Sequence, residues 1–259
     1  MKTIKLVLIV PMLLFAISCK KDNNKTAANS NISVDVAADL TVSSVASNSL
    51  GFASVADNIS ANAQAVSSAG NGQAVNSTAP NAVIRQTCGS TISDSLSFSG
   101  TTNAVSIDAF YKYSQTLNCN NDSPDNLANV ITFHGTFDGP RLSSSVSGTS
   151  AVTISGLASS ANNFTINGLY SRKGSFTSKV DAKSSGSSVV AITVTNVTLS
   201  KPGRVITGGS ANITVSGTVP AGAFSFNSTL VFNGNNQATL TIGASVYIIN
   251  LLNGTYTKQ

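Results

Sequence analysis

The chain of 259 residues has no tryptophan, no glutamate and a single histidine, and only 10% of its side chains are charged. Each shortage removes a class of protein. All ten acidic side chains are Asp, so one of the strong helix formers of cytosolic helical enzymes is missing. The low charge also separates the chain from charge-rich disordered tails. One histidine, His134, with a paired thiol couple cannot complete a His-based zinc site. Without tryptophan, a broad aromatic platform for sugars is weakened. The longest early apolar run, Leu6 to Phe15, is too short to span a bilayer. The formal charge of +5 does not make a nucleic-acid binder. Lys2, Lys5, Lys20, Lys21 and Lys25 crowd the first residues, and from Arg85 onward ten Lys/Arg face six Asp with no basic stripe interleaved with aromatics.

What fills the chain instead is Ser, Thr, Asn and Gly between Val, Ile and Phe, a composition suited to a pleated surface. From about Arg85 the apolar period is two. Ala211, Ile213, Val215 and Val219 alternate with Asn212, Thr214, Ser216 and Thr218; Phe224, Phe226, Leu230 and Phe232 do the same, as do Ala238, Leu240 and Ile242. Such alternation buries one face of an antiparallel sheet and wets the other. The stretch "NGNN" at 233–236 marks a hairpin, and "DGPR" from Asp138, "SKPGR" at 200–204 and "SRKG" at 171–174 read as further turns. The expected fold is mainly β: an antiparallel sheet of about ten strands, as a sandwich, a barrel-like form or a curled sheet, with one short N-terminal helix. That helix is placed over 35–50, with Asp35 as cap and Gly51 as stop. A membrane barrel would share the alternation, but aromatic girdles at the strand ends are missing.

The order of segments expected is a signal peptide over 1–18, a tether over 19–33, a short helical segment over 34–66, a Gly/Ser/Asn-rich linker over 67–84 and a β domain over 85–259. Lys2 and Lys5 precede the apolar run, and "AISC" ends it at Cys19, the form of a secretory leader. The small or β-branched residues before Cys19 resemble the lipobox of bacterial lipoproteins, with Ala16 where leucine is usual. The resemblance implies cleavage before Cys19 and acylation of its thiol, palmitate being the expected chain type. "CKKDNN" and the Ser/Thr/Asn-rich β composition resemble lipoproteins of the Bacteroidota. In these, a charged tract after the cysteine accompanies export to the outer face of the outer membrane. The "FDGPR" turn and Thr-rich hairpins resemble an uncharacterised family of such lipoproteins, which carries no known activity. The location implied is the outer membrane, on its periplasmic face or at the cell surface.

With Cys19 committed to lipid, Cys88 and Cys119 remain as an even pair 31 positions apart. In an exported chain that reads as a disulfide, worth about 3–4 kcal/mol in the chain-entropy picture. No catalytic residue, cofactor or metal ligand set is expected. His134 falls on the polar side of its strand, opposite Ile131, Phe133 and Phe137. Asp108, Asp122, Asp125 and Asp138 are the carboxylates a glycoside hydrolase would draw on, yet three of them sit among turn residues. The Asn/Asp stretch at 118–126 lacks the ordered spacing of a calcium loop. Two binding features remain. Arg172, Lys173, Lys179 and Lys183 gather around one expected hairpin as a candidate patch for an anionic ligand, against the plainer role of protecting a sheet edge. Tyr111 and Tyr113 share a strand face that could stack on sugars. The partners expected are the membrane, through the lipid, and a polysaccharide or envelope protein. Function is read as non-enzymatic and structural or binding, the alternative being a surface glycan-binding accessory or a hydrolase using loop Asp and Tyr residues.

Overall fold

The computed structural model describes residues 31–69, 74–76, 83–102, 104–180 and 184–259. Cys19, Lys183 and much of the linker lie outside the described residues. Two helices come first, α1 (Val34–Val45) and α2 (Phe52–Ala69), joined through a short 3-10 turn at Ser47–Ser49. A two-stranded ladder follows, β1 (Ala74–Asn76) with β2 (Val83–Arg85). The rest is one meander: β3 (Thr91–Thr101), β4 (Ser106–Asn120), β5 (Ser123–Asp138), β6 (Leu142–Ser155), β7 (Asn163–Ser178), β8 (Ser185–Ser200), β9 (Ile206–Val219), β10 (Gly222–Gly234), β11 (Gln237–Ile242), β12 (Ser245–Asn250) and β13 (Tyr256–Lys258). Every strand from β3 to β13 pairs antiparallel with its sequence neighbour, giving one open sheet of 11 strands. The mainly β fold is therefore a curled sheet, not a sandwich.

The alternating rows behave as the period of two requires. Ile213, Val215, Phe226, Leu230, Phe232, Leu240 and Ile242 are all buried, Thr214 and Thr218 are exposed, and Thr239 and Thr241 are half-buried. A slip of one residue would turn every one of these apolar groups to water, at about 1.5–3 kcal/mol for each large side chain. Asn235 and Asn236 take positive φ at the β10–β11 turn, as do Asn121 and Asp122 between β4 and β5. Asn tolerates that region better than most residues, which is why these hairpins are tight.

Two expectations, the cap of α1 and the "SRKG" turn, need correction. The expected short N-terminal helix is α1, and a second helix follows it. Ser33, not Asp35, caps α1, its Oγ accepting from Val36 N at 3.2 Å. Leu50 turns left-handed at φ 63°, and a Cβ on Gly51 would strike the backbone of Val45 and Ala46. The chain bends there, then starts a second helix that reaches Ala69, inside the span expected to be linker. Second, "SRKG" is not a turn but the middle of β7; Gly174 sits there because a Cβ would meet the Ser145 carbonyl of β6. Residues of α1, α2 and the sheet share a single hydrophobic core.

Helix α1 lies within the curl of the sheet. Ten consecutive residues, Val36 to Val45, are buried, which is the burial of a central helix and not of an amphipathic surface helix. Its polar side chains are satisfied locally: Thr41 Oγ1 donates to Ala37 O, and Ser43 and Ser44 hydroxyls donate to Leu40 O, at 2.7–3.0 Å. Helix α2 packs on β5, β6 and β7. On that inner face a ladder of rings runs Phe98–Tyr111–Phe133–Tyr170, with centroids 5.4–6.1 Å apart. Phe133 on β5 reaches Tyr170 on β7 across β6 because its partner there is Gly148; a Cβ there would collide with the Phe133 ring.

Candidate functional site

Among the described residues, polar groups meet accessible space in a cavity beside β13 and at places along the outer face of the sheet. The cavity, of about 210 Å³, lies between α1, the β5–β6 turn and the β12–β13 turn. Val42, Phe137, Pro140 and Leu142 supply apolar lining, and Asp39, Arg141 and Tyr256 supply the polar wall. Asp39 projects from the buried middle of α1. Its carboxylate accepts from Arg141 Nε at 2.7 Å, from Arg141 Nη2 at 3.3 Å and from the Tyr256 hydroxyl at 2.7 Å. The Arg141 guanidinium also lies 5.0 Å over the Tyr256 ring. Burial raises the Asp39 pKa despite these bonds, and burial together with the Asp39 charge raises that of Tyr256. One turn earlier, Asp35 accepts from Tyr247 at 2.7 Å and from Lys258 at 2.8 Å, and these bonds hold its pKa down.

The Asp39 carboxylate accepts three hydrogen bonds. It ties the central helix to the β5–β6 turn and to β13, which belong to distant parts of the meander. Sequence reading missed Asp39, Arg141 and Tyr256. The available signal was Asp35 and Asp39 at i and i+4 of one helix, but nothing local names their partners more than 100 positions away.

The candidate basic patch is divided by the sheet. Arg172 faces inward and is 3% exposed. Its Nη1 donates to Ser43 O at 2.7 Å and Ser49 O at 3.1 Å, and its Nη2 donates to Ser43 Oγ at 2.6 Å. It thus caps the Ser43 carbonyl in the last turn of α1, where a cation suits both an orphan acceptor and the helix dipole, and also the Ser49 carbonyl of the 3-10 turn. Burial lowers its pKa. Lys173, one residue on, is exposed, while Lys179 pairs with Asp138 at 2.5 Å. The cause is again the period of two: within β7 adjacent residues cannot share a face.

The tyrosine platform is likewise inside. Tyr111 is 1% exposed, its pKa pushed up to about 12 by burial, and Tyr113 packs partly buried against the core. The aromatic of β4 that reaches the outer face is Phe110, stacked on exposed His134 with centroids 5.1 Å apart. The register continues this row through Ser147 to Lys173. Asp108, Asp122 and Asp125 are exposed. Asp122 occupies the two-residue β4–β5 turn, and Asp125 accepts from Asn126 Nδ2 at 2.7 Å. Among the described residues no three His, Cys or Asp side chains gather as a metal cluster, and no helix is long and apolar enough to cross a membrane. Cys88 and Cys119 are disulfide-bonded, with Cα atoms 5.5 Å apart.

Fold and site together define an open antiparallel meander wound on an internal helix, with a small cavity where its last strand is fastened. No family model, curated protein or solved structure matches the chain.

Proposed function

We propose that the protein is a non-enzymatic, lipid-anchored envelope or cell-surface protein whose β domain serves binding or structure. The observation that carries this reading is the apolar run from Leu6 that ends at "AISC", with Cys19 as the acylated residue. The Cys88–Cys119 disulfide supports it, since such bonds persist in exported chains. The start of the described chain adds a geometry for the anchor. Ile32 is buried and Asn31 Nδ2 donates to Ala223 O, beside the β9–β10 turn. Twelve positions separate Cys19 from Asn31, a reach of at most about 40 Å. Under this reading the tether joins the domain at the β9–β10 turn, on the side of the sheet shared by the β7–β8 and β5–β6 turns. In the test, Cys19→Ser releases the protein from the membrane fraction with its β-sheet circular dichroism unchanged. A variant that still pellets with membranes at high salt overturns the anchor.

A second reading, a surface glycan-binding accessory, is favoured by one observation: the Phe110–His134 pair continues across the outer face through Ser147 to Lys173. Ring faces take the C–H side of a sugar, and an ammonium takes a carboxylate. Phe110→Ala would abolish retention on a polyuronate column under this reading, and unchanged retention removes it.

A further inference from the structure

We propose that the cavity beside β13 is a binding site for a small ring-bearing carboxylate, Arg141 holding the carboxylate and the apolar wall holding the ring. The site stands apart from both the Cys19 anchor and the outer face of the sheet. Its volume of about 210 Å³ exceeds the roughly 150 Å³ of an apolar cavity that holds benzene. A single ring with one substituent is therefore the size that fits. Val42, Phe137, Pro140 and Leu142 offer that ring an apolar surface, and a mainly apolar wall with a few fixed polar groups is the usual make-up of a small-molecule site. The walls come from α1, the β5–β6 turn and the β12–β13 turn, so an occupant would also strengthen the fastening of β13.

The charge of the ligand follows from which member of the ion pair an incoming group can touch. The Asp39 side chain is 2% exposed, whereas that of Arg141 is 42% exposed. A ligand therefore meets the cation and not the carboxylate. Asp39 takes one edge of the guanidinium, through Nε and Nη2, and Nη1 makes no hydrogen bond to a described residue. A guanidinium presents its N–H donors as a fork on more than one edge, and a carboxylate matches such a fork with two charge-assisted bonds. The Tyr256 ring backs the guanidinium at 5.0 Å. With Asp39 at its edge, Arg141 is thus positioned before any ligand arrives and loses little freedom on binding. The other polar side chains of the wall ask for nothing more. Ser43, Asn48, Ser49, Thr255 and Tyr256 direct their donors to partners within the protein, and Asn253 is exposed in its turn. The site suits one anionic head on an otherwise apolar body.

The test uses the full chain carrying Cys19→Ser, with benzoate, benzyl alcohol and benzylamine as probes, followed by calorimetry and by saturation-transfer NMR of the probe. Benzoate is expected to bind saturably. Benzyl alcohol should bind about tenfold more weakly, the difference between a charge-assisted and a neutral hydrogen bond, and benzylamine more weakly still. Val42→Phe fills the cavity while leaving the Asp39–Arg141 bonds in place, and should abolish benzoate binding with an unchanged circular dichroism spectrum. Arg141→Lys keeps the cation but removes the fork. It should weaken benzoate about tenfold and leave benzyl alcohol unchanged, a contrast that a general loosening of the cavity would not produce. The comparison of the three probes on the parent chain stands whether or not either variant folds. Absence of benzoate binding overturns the proposal, as does benzyl alcohol or benzylamine binding as tightly as benzoate. Undiminished benzoate binding by a folded Val42→Phe chain overturns the location.

Discussion

The two ends of the eleven-stranded sheet are finished by different chemistry. At one end β13 is three residues long, yet two of its residues reach the central helix: Tyr256 bonds Asp39 and Lys258 bonds Asp35. At the other end β3 is 11 residues long and makes a full ladder with β4, and the covalent staple lies just before it. A short edge exposes few unpaired backbone groups but has little ladder to hold it, so side chains must fasten it to the core. A long edge is held by its own ladder, and on β3 the Ser95 N–H is capped by the Asp94 carboxylate. Stability is invested in the fastening at one end and in the ladder at the other.

Breaking the staple is the largest expected effect. Cys88→Ser with Cys119→Ser should lower unfolding free energy by about 3–4 kcal/mol in urea titration; an unchanged midpoint would mean that the β3 end is held by its ladder alone. Asp39→Ala should cost about 2 kcal/mol, less than a fully buried pair because the Arg141 side chain is 42% exposed. Tyr256→Phe, which removes one bond to the same carboxylate, should cost about 1 kcal/mol. Both are read from thermal melts, and a Tyr256 loss as large as that of Asp39 would contradict the order of fastening.

The pH dependence sharpens the same comparison within one helix. The folded pKa of Asp39 is raised by burial above its ordinary 3.8, so the folded state takes up that proton first and the step adds stability as pH falls toward 3.8. Asp35 is held below 3.8 by its bonds to Lys258 and Tyr247. Its contribution is complete above 3.8 and is lost as pH falls through the lower folded value. Asp39→Asn should therefore remove the rise in melting temperature between neutral pH and 3.8 while leaving the fall below it. A variant curve parallel to that of the parent would contradict the assignment. The smallest effect is that of Lys258→Ala, whose ion pair with Asp35 is exposed; no measurable change in melting temperature at neutral pH is expected.

The sheet was legible residue by residue where side chains alternate. Ile213, Val215 and Leu240 declare their face because a strand has only two sides, and "NGNN" declares its turn because few residues accept positive φ. The reading failed where that rule was not applied to charge. Arg172 and Lys173 were read together as one patch, although adjacent strand residues point to opposite sides. Tyr111 and Tyr113 were correctly read as sharing a face, but which face that is depends on where the helices lie. The two helices were hard to read because α1 has no polar side to mark its period: Thr41, Ser43 and Ser44 look solvent-facing in sequence and bond their own backbone instead.

By itself, then, the sequence determined the class of structure, the buried rows and the tight hairpins, because each follows from local geometry. Only the tertiary structure decided that the sheet stays open, that α1 runs inside it, and that Asp39, Arg141 and Tyr256 meet. Those contacts join positions more than 100 residues apart. They depend on the accumulated curl of many strands, which no single stretch of sequence encodes.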